Sequence, residues 1–377
     1  MDTFSGLEVR EIPLSLAFAR RKRDDLLRSC GLEPGEADYA LGVYDSEERL
    51  LGTASLDGDT IKGVCLAPEL RDSAVTGSLV TGLLAHANAR GISNVRVFTK
   101  PEYEPVFRSL SFSLVGQGAG AVLLESDAGA LKKLKSAYSA HKVSGRSGAI
   151  VMNVNPLTRG HLYLIESAAE QVDHLFIIPV GDNPRTMFTL AERAAALKRA
   201  TTGMENVTVL ESSPYCISAA TFPTYFIKEV TDQTRAHCTL DLDIFARHIA
   251  PSLGVTVRFA GTEPKDELTR TYNAAMKELL PARGIEVVEI ERLKDNGEWI
   301  SASNVRKLIG KRHIAEALSL VPVASAPMIL SKVAEQALLD EVNLTPKPGL
   351  VDRDNSGAHT DMDYALMCRS AETLRPW

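Results

Sequence analysis

The chain of 377 residues lacks a cationic excess: 42 lysines and arginines face 48 aspartates and glutamates, a formal charge of −6. A nucleic-acid binder working through its overall field would be basic, so no nucleic-acid partner is expected and any anionic ligand must be held by a local site. The five cysteines, at 30, 65, 216, 238 and 368, include no CxxC pair. A zinc ribbon and a disulfide scaffold are both excluded on that spacing, and scattered thiols fit a reducing cytosol. No apolar stretch approaches the ~20 residues of a membrane helix; the most compact, Leu175–Val180, is far shorter. The apolar run at Leu14–Ala19 is broken by Ser15 and followed by Arg20-Arg21-Lys22-Arg23, the reverse of a secretory signal. The expectation is a cytoplasmic protein with no membrane partner. Internal repeats and low-complexity tracts are also missing.

What is there reads as a two- or three-domain globular chain. Tyr39–Tyr44, Arg49–Leu56 and Thr60–Leu66 are rich in β-formers and separated by acidic or glycine turns, which predicts antiparallel strands. Helical spacing over residues 74–90, a strand at Asn94–Thr99 and a short helix at Pro101–Leu110 make the first 130 residues α+β. Residues 127–147 turn rich in Ala, Ser, Lys and Gly and read as a helix plus a linker. Beyond Gly148, strands at Ala149–Asn153, His174–Val180, Val207–Glu211, Thr256–Ala260 and Glu286–Glu291 alternate with helices. Those helices are His161–Val172, Thr189–Thr201, Phe222–Thr231, Asp241–Ile249 and Thr269–Leu280. Such alternation predicts a doubly wound parallel sheet. Two more helical stretches, Asn304–Ile309 and Ile314–Leu320, end at Val321-Pro322.

The strongest chemical signal is Asn153-Val154-Asn155-Pro156-Leu157-Thr158-Arg159-Gly160-His161, between a strand and a helix. A helix start offers free N–H groups and the positive end of the dipole, which suits phosphate. Gly160 would let the backbone approach closely, and Thr158 and His161, three apart, would face one phosphate. An ordinary capped strand–helix turn is the bland alternative. The second signal is Ile300-Ser301-Ala302-Ser303-Asn304-Val305-Arg306, where Arg306 lies one turn beyond Ser303 on the same face. A serine cap with a solvated arginine is its bland reading. Two apparent sites are set aside. Gly116-Gln117-Gly118-Ala119-Gly120-Ala121 fits GxGxxA, but a strand and not a helix follows, so a hairpin turn is expected. His237, Cys238, Asp241, Asp243 and His248 do not share a face and predict no metal site.

Together the two loops resemble the nucleotidyltransferase superfamily, in which an (H/T)xGH loop and an ISSTxxR-type loop grip ATP. The threonine at 158 resembles the variant of pantetheine-phosphate adenylyltransferase. Ser218-Ala219-Ala220-Thr221-Phe222-Pro223-Thr224-Tyr225-Phe226, Gly261-Thr262-Glu263-Pro264 and Thr271-Tyr272-Asn273-Ala274-Ala275-Met276 are similar to segments of the citrate lyase ligase family. That match spans roughly residues 1–325. It implies a GNAT-like α+β domain at 1–145 and a nucleotidyltransferase-like ATP-binding domain at 146–325.

The implied activity joins acetate to the phosphoribosyl-dephospho-CoA thiol on the acyl-carrier subunit of citrate lyase, with ATP cleaved to AMP and pyrophosphate through acetyl-adenylate. By resemblance, His161, Thr158, Ser301, Ser303 and Arg306 serve the phosphates, Mg²⁺ bridges them, and Asn153, Asn155, Gly160, Gly261 and Glu263 line the nucleotide. Two other readings stay open: an adenylyltransferase making a dinucleotide-type product, and a non-catalytic GNAT-type binding module. In the first domain, Ala67-Pro68-Glu69-Leu70-Arg71 before a helix resembles the GNAT pyrophosphate loop, but Arg71–Thr76 lacks its small residues in register. Acetyl-CoA binding and docking of the carrier subunit are both open there. Residues 326–377, with Glu341, Thr345–Asp352 and Gly357–Met362, resemble the start of triphosphoribosyl-dephospho-CoA synthase, as a short helical tail.

Overall fold

The structure is a computed structural model that describes residues 6–70, 75–181, 186–217 and 234–344. The chain forms two compact units, Met1–Leu330 and Ser331–Trp377. In the first unit, two sheets follow one another.

The first sheet has seven strands in the order β1-β2-β3-β4-β5-β7-β6. Its members are β1 (Glu8–Glu11), β2 (Tyr39–Tyr44), β3 (Leu50–Asp57), β4 (Thr60–Leu66), β5 (Arg96–Thr99), β6 (Ser113–Gly118) and β7 (Ala121–Glu125). β2, β3 and β4 form the antiparallel meander that the turn residues predict. β4 and β5 run parallel and pair only at Thr60–Arg96 and Ile61–Val97. Helix α1 (Ala17–Ser29) precedes β2, α2 (Val75–Ala89) crosses from β4 to β5, and α3 (Glu104–Ser109) leads to β6. On α2, Val75, Leu79, Leu83 and Ala87 fall at i, i+4, i+8 and i+12. They pack on Leu41, Val43, Ala54 and Leu56 of the sheet. α4 (Ala128–Ser139) starts at an Asp127 cap that accepts from Gly129 N–H at 2.8 Å.

The second sheet is five-stranded and wholly parallel, in the order β10-β9-β8-β11-β12. Its strands are β8 (Ser147–Met152), β9 (His174–Pro179), β10 (Val207–Val209), β11 (Val255–Gly261) and β12 (Glu286–Ile290), all within a residue or two of their expected bounds. The chain runs outward from β8 through α5 (Arg159–Ala169), β9, α6 (Leu190–Ala200) and β10, then returns to β11 on the other side of β8. The order therefore reverses between β8 and β11. In doubly wound sheets the ligand crevice lies outside the carboxyl ends of the strands at such a point. A hairpin of β13 (Lys294–Asp295) and β14 (Glu298–Trp299) follows, then helices Ala302–Gly310, Ile314–Ser319 and Ala326–Leu344.

The helix expected at Asp241–Ile249 begins earlier, at Thr234, and passes into a π-helical turn at Phe245–Ile249. Buried residues occur on every face of Thr234–Ile244. It therefore carries no apolar stripe from which its start could be read. The burial arises because this helix lies between the sheets. It packs against β6, where a Cβ on Gly118 would stand 2.5 Å from Leu240 N, and one on Gly116 would stand 2.4 Å from Ile244 Cγ1. Ala119 N–H donates to Thr239 Oγ1 at 2.7 Å and Gln117 N–H to Asp243 Oδ2 at 3.1 Å. Gly116–Ala121 is thus a β6–β7 hairpin, as expected, and its glycines make room for a helix backbone. The expected helix Phe222–Thr231 lies outside the described residues. No described helix is long and apolar enough to cross a membrane.

Candidate active site

β8 ends at Met152, and the six residues Asn153–Thr158 lead into α5. Thr158 is the N-cap in extended conformation, and its Oγ1 accepts from His161 N–H at 3.3 Å. Thr158 N–H donates back to His161 Nδ1 at 3.1 Å. This is a reciprocal capping box with histidine in the place usually taken by Glu or Gln. An accepting Nδ1 puts the ring proton on Nε2, which has no partner among the described residues. Burial lowers the His161 pKa to about 4, and the nearby Arg292 cation adds to the effect. The ring is therefore a neutral donor at physiological pH. Thr158, at 1 % exposure, is spent on the cap; its hydroxyl, 2.9 Å from Nδ1, orients the ring.

The second loop reaches the first. Ser301 caps Ala302–Gly310 and accepts from Asn304 N–H at 3.2 Å. Arg306 Nη1 donates to Asn155 O at 2.5 Å and Nη2 to Ser303 Oγ at 3.1 Å. A Cβ on Gly160 would meet Ile300 O at 3.5 Å, an ordinary contact. The protein's own packing therefore does not require glycine there, and the open position faces the second helix start. Asn155 Oδ1 accepts from Phe188 N–H at 3.2 Å.

Asn153 is held by a residue that the sequence reading overlooked. Arg193 on α6 is fully buried and donates to Asn153 O (2.7 Å), Asn153 Oδ1 (3.2 Å), Val180 O (2.8 Å), Gly181 O (3.2 Å) and Phe188 O (3.1 Å). It ties together the carboxyl ends of β8 and β9. The available signal was an arginine in register with Ala196 and Leu197 on the apolar face of a Thr189-capped helix.

Across the switch point, Gly261 ends β11. A Cβ there would lie 3.9 Å from both Leu164 Cδ2 of α5 and Arg292 Cγ. Asn273 Nδ2 donates to Gly261 O at 3.0 Å and Tyr272 OH to Asp241 Oδ2 at 2.7 Å, so the Thr271–Met276 segment supports the strand end from below. Glu263 is nearly buried. Its Oε1 accepts from Lys265 and Asp266 N–H at 3.0 Å each, and its Oε2 pairs with Arg292. Asn153, Asn155, Thr158, Gly160, His161, Ser301, Ser303 and Arg306 thus form one linked group, with Gly261 and Glu263 beside it.

The Ser218–Phe226 segment and Arg71–Ala74 lie outside the described residues. Ile217 N–H, just before the former, donates to Asp241 Oδ1 at 2.6 Å. The acidic and histidine residues of the helical stretch Thr234–Ile249 go to separate tasks. Asp243 pairs with Arg247 and Arg283, His248 Nε2 meets Val115 O at 2.7 Å, and the His237 ring packs tilted against Phe98, 4.9 Å between centroids. Among the described residues, no group of three or more His, Cys, Asp or Glu could hold a metal ion.

A doubly wound sheet whose switch point is bracketed by a TxGH helix start and a Ser-x-Ser-x-x-Arg helix start is the arrangement in which open α/β sheets bind phosphate-bearing ligands, here preceded by a seven-stranded, mostly antiparallel α+β region. Comparison with known proteins gives the particular family. Residues 147–329 match the citrate lyase ligase C-terminal domain. The [citrate [pro-3S]-lyase] ligase of Klebsiella pneumoniae is 37 % identical over 302 residues, covering 78 % of this chain and 88 % of its own length. That of Haemophilus influenzae is 36 % identical over 297 residues, 77 % of this chain and 88 % of its own. The chain belongs to the citrate lyase ligase family.

Residues 327–377 match the ATP:dephospho-CoA triphosphoribosyl transferase family. The 2-(5''-triphosphoribosyl)-3'-dephosphocoenzyme-A synthase of Escherichia fergusonii is 58 % identical over 48 residues, only 16 % of its length. Among solved structures, Escherichia coli ElaA covers 32 % of this chain and 99 % of its own at 14 % identity and TM-score 0.29. Apo Thermotoga maritima TmcAL covers 53 % and 62 % at 16 % identity and TM-score 0.34. The strand order, not these scores, carries the fold assignment.

Proposed function

We propose that the chain acetylates the prosthetic-group thiol of the citrate lyase acyl carrier: acetate, ATP and the carrier thiol give the acetyl thioester, AMP and pyrophosphate. One observation carries the reading most: the two helix starts meet at the switch point, joined by the Arg306–Asn155 bond. In the first step an acetate oxygen bonds to the α-phosphorus and the bond from that phosphorus to the bridging oxygen of pyrophosphate breaks. Two anions must meet, so fixed donors are needed where charge develops. His161 Nε2–H supplies one, and the N–H groups of Gly160 at the start of α5 and of Ala302 and Ser303 at the start of Ala302–Gly310 supply others, the Arg159 N–H being taken by Leu320 O. Ser301, Ser303 and Arg306 hold the departing pyrophosphate. Thr158 sets the His161 ring, Asn153 and Asn155 shape the strand end, and Gly160, Gly261 and the Glu263 loop border the nucleotide. In the second step the thiol sulfur bonds to the acetyl carbon, AMP leaves, and the thiol proton passes to solvent.

Magnesium has no protein ligand set among the described residues. It would arrive on the nucleotide's phosphate oxygens and water. The division into a GNAT-like domain at 1–145, a ligase domain at 146–325 and a synthase-like tail at 326–377 belongs to the same proposal. So does a cytoplasmic location, which the free thiols of Cys30, Cys65, Cys216 and Cys238 suit. The test is mass spectrometry of the acyl carrier after incubation with acetate, ATP and this protein. Acetylated thiol supports the proposal, and its absence with transfer of AMP to another acceptor would favour an adenylyltransferase.

A further inference from the structure

Arg292 lies just past β12, opposite His161, and neither the motifs nor the capping pattern singles it out. Its guanidinium pairs with Glu263 through Nη2 alone. A guanidinium has five N–H donors in a fixed plane. Its Nε and Nη1 have no partner among the described residues, while its side chain is 30 % exposed. The anchor is unusually firm. Glu263 is 5 % exposed and its other oxygen accepts two backbone N–H groups. Arg292 N–H also donates to Thr262 Oγ1 at 3.2 Å. The side chain is thus held from both ends, at the carboxyl edges of β11 and β12. Gly261 beside it presents no side chain, and Leu164 of the His161 helix forms the adjoining wall.

A preorganised guanidinium with one edge satisfied and one edge open is a seat for an oxyanion, which it can take through two parallel bonds. We propose that Arg292 seats the carboxylate of the acid substrate through Nε and Nη1, with Glu263 as the positioning residue that keeps the fork in place. This rests on the ligase reading and names the group that holds its smallest substrate. An acid of two carbons has little else to be held by, so the loss should fall on acetate. The α-phosphate of the nucleotide offers the same oxyanion chemistry, and the experiment separates the two.

Arg292→Ala and Arg292→Lys are made in the full chain and checked for an unchanged melting temperature. The KM for acetate is read from acetate-dependent pyrophosphate release, and the dissociation constant of ATP from calorimetry. Losing a charge-assisted pair should raise the acetate KM by about 10- to 100-fold in the alanine variant. Lysine should restore only part, because it keeps the charge without the fork. Binding of ATP should stay within about threefold. Weakened ATP binding with an unmoved acetate KM would give the seat to the phosphate and overturn the proposal, as would no change in either. If the alanine variant fails to fold, Glu263→Gln serves: a released fork should again raise the acetate KM, and an unchanged value would overturn the proposal. Absence of acetate-dependent turnover in the unmodified protein would instead overturn the ligase reading itself.

Discussion

Replacing His161 with alanine removes two separable things. One is the acceptor for Thr158 N–H, half of the capping box at α5. The Thr158 hydroxyl still caps His161 N–H in the other direction, so the structural cost should be about 1 kcal/mol, that of a weakened cap. The other is the neutral Nε2–H donor aimed at charge that develops on phosphorus. Loss of one preorganised donor of that kind costs ~10²–10³ in turnover, or ~3–4 kcal/mol of transition-state stabilisation. The two magnitudes differ enough to be told apart. Acetate-dependent pyrophosphate release should fall by at least a hundredfold while thermal unfolding moves by only a few degrees. A variant that folds normally and keeps its rate within about threefold would refute the assignment of His161 to the chemistry. A variant whose rate loss matches a large loss of folded protein would show that the cap is its whole contribution.

Four other outcomes follow from the same structure. With its pKa lowered to about 4, His161 stays neutral well below the ordinary 6.5, so the acid limb of the rate profile should show no titration near 6.5; a histidine-like limb there that vanishes in the alanine variant would contradict the buried neutral ring. Its folded pKa, like that of His237, lies below the unfolded value. Unfolded chains therefore take up protons first: the stability from these two rings is intact above about 6.5 and is lost as pH falls toward 4, which unfolding titrations would show. Gly118→Val should destabilise by about 1–3 kcal/mol or more, because the new Cβ would stand 2.5 Å from a backbone nitrogen; an unchanged denaturant midpoint would rule out the helix–β6 packing. A chain ending after Leu330 should keep ligase turnover, whereas one ending at residue 325 should lose stability with the buried Met328 and Ile329; equal behaviour of the two would contradict that packing.

The parts of this architecture that rest on local chemistry were readable from the residues. The β2–β4 turns, the helix start at Thr189, the capped turn at Thr158, the alternating strands from β8 to β12 and the hairpin hidden in a GxGxxA string all depend on neighbours in sequence. Helix α1 was not read, since its Arg-rich run shows only Ala19, Arg23 and Leu27 on the buried side. The early start of Thr234–Ile244 was missed because both of its environments come from distant strands. In the site, TxGH and Ser-x-Ser-x-x-Arg were visible as motifs. Their meeting through Arg306 and Asn155 spans 151 positions and needed the fold. Arg193 and Arg292 have no motif of their own: one looks like a helix-surface arginine, the other like a loop charge. Their partners, the carbonyls at the ends of β8 and β9 and the carboxylate of Glu263, are brought to them by tertiary structure alone.

The central claim is that the two helix starts activate a carboxylic acid with ATP before any thiol takes part. The direct measurement is exchange of labelled pyrophosphate into ATP by the full chain, with acetate present and the acyl carrier omitted. Exchange that requires acetate and disappears in His161→Ala is the predicted result. No exchange, or exchange that depends on a phosphopantetheine acceptor and ignores acetate, would contradict it.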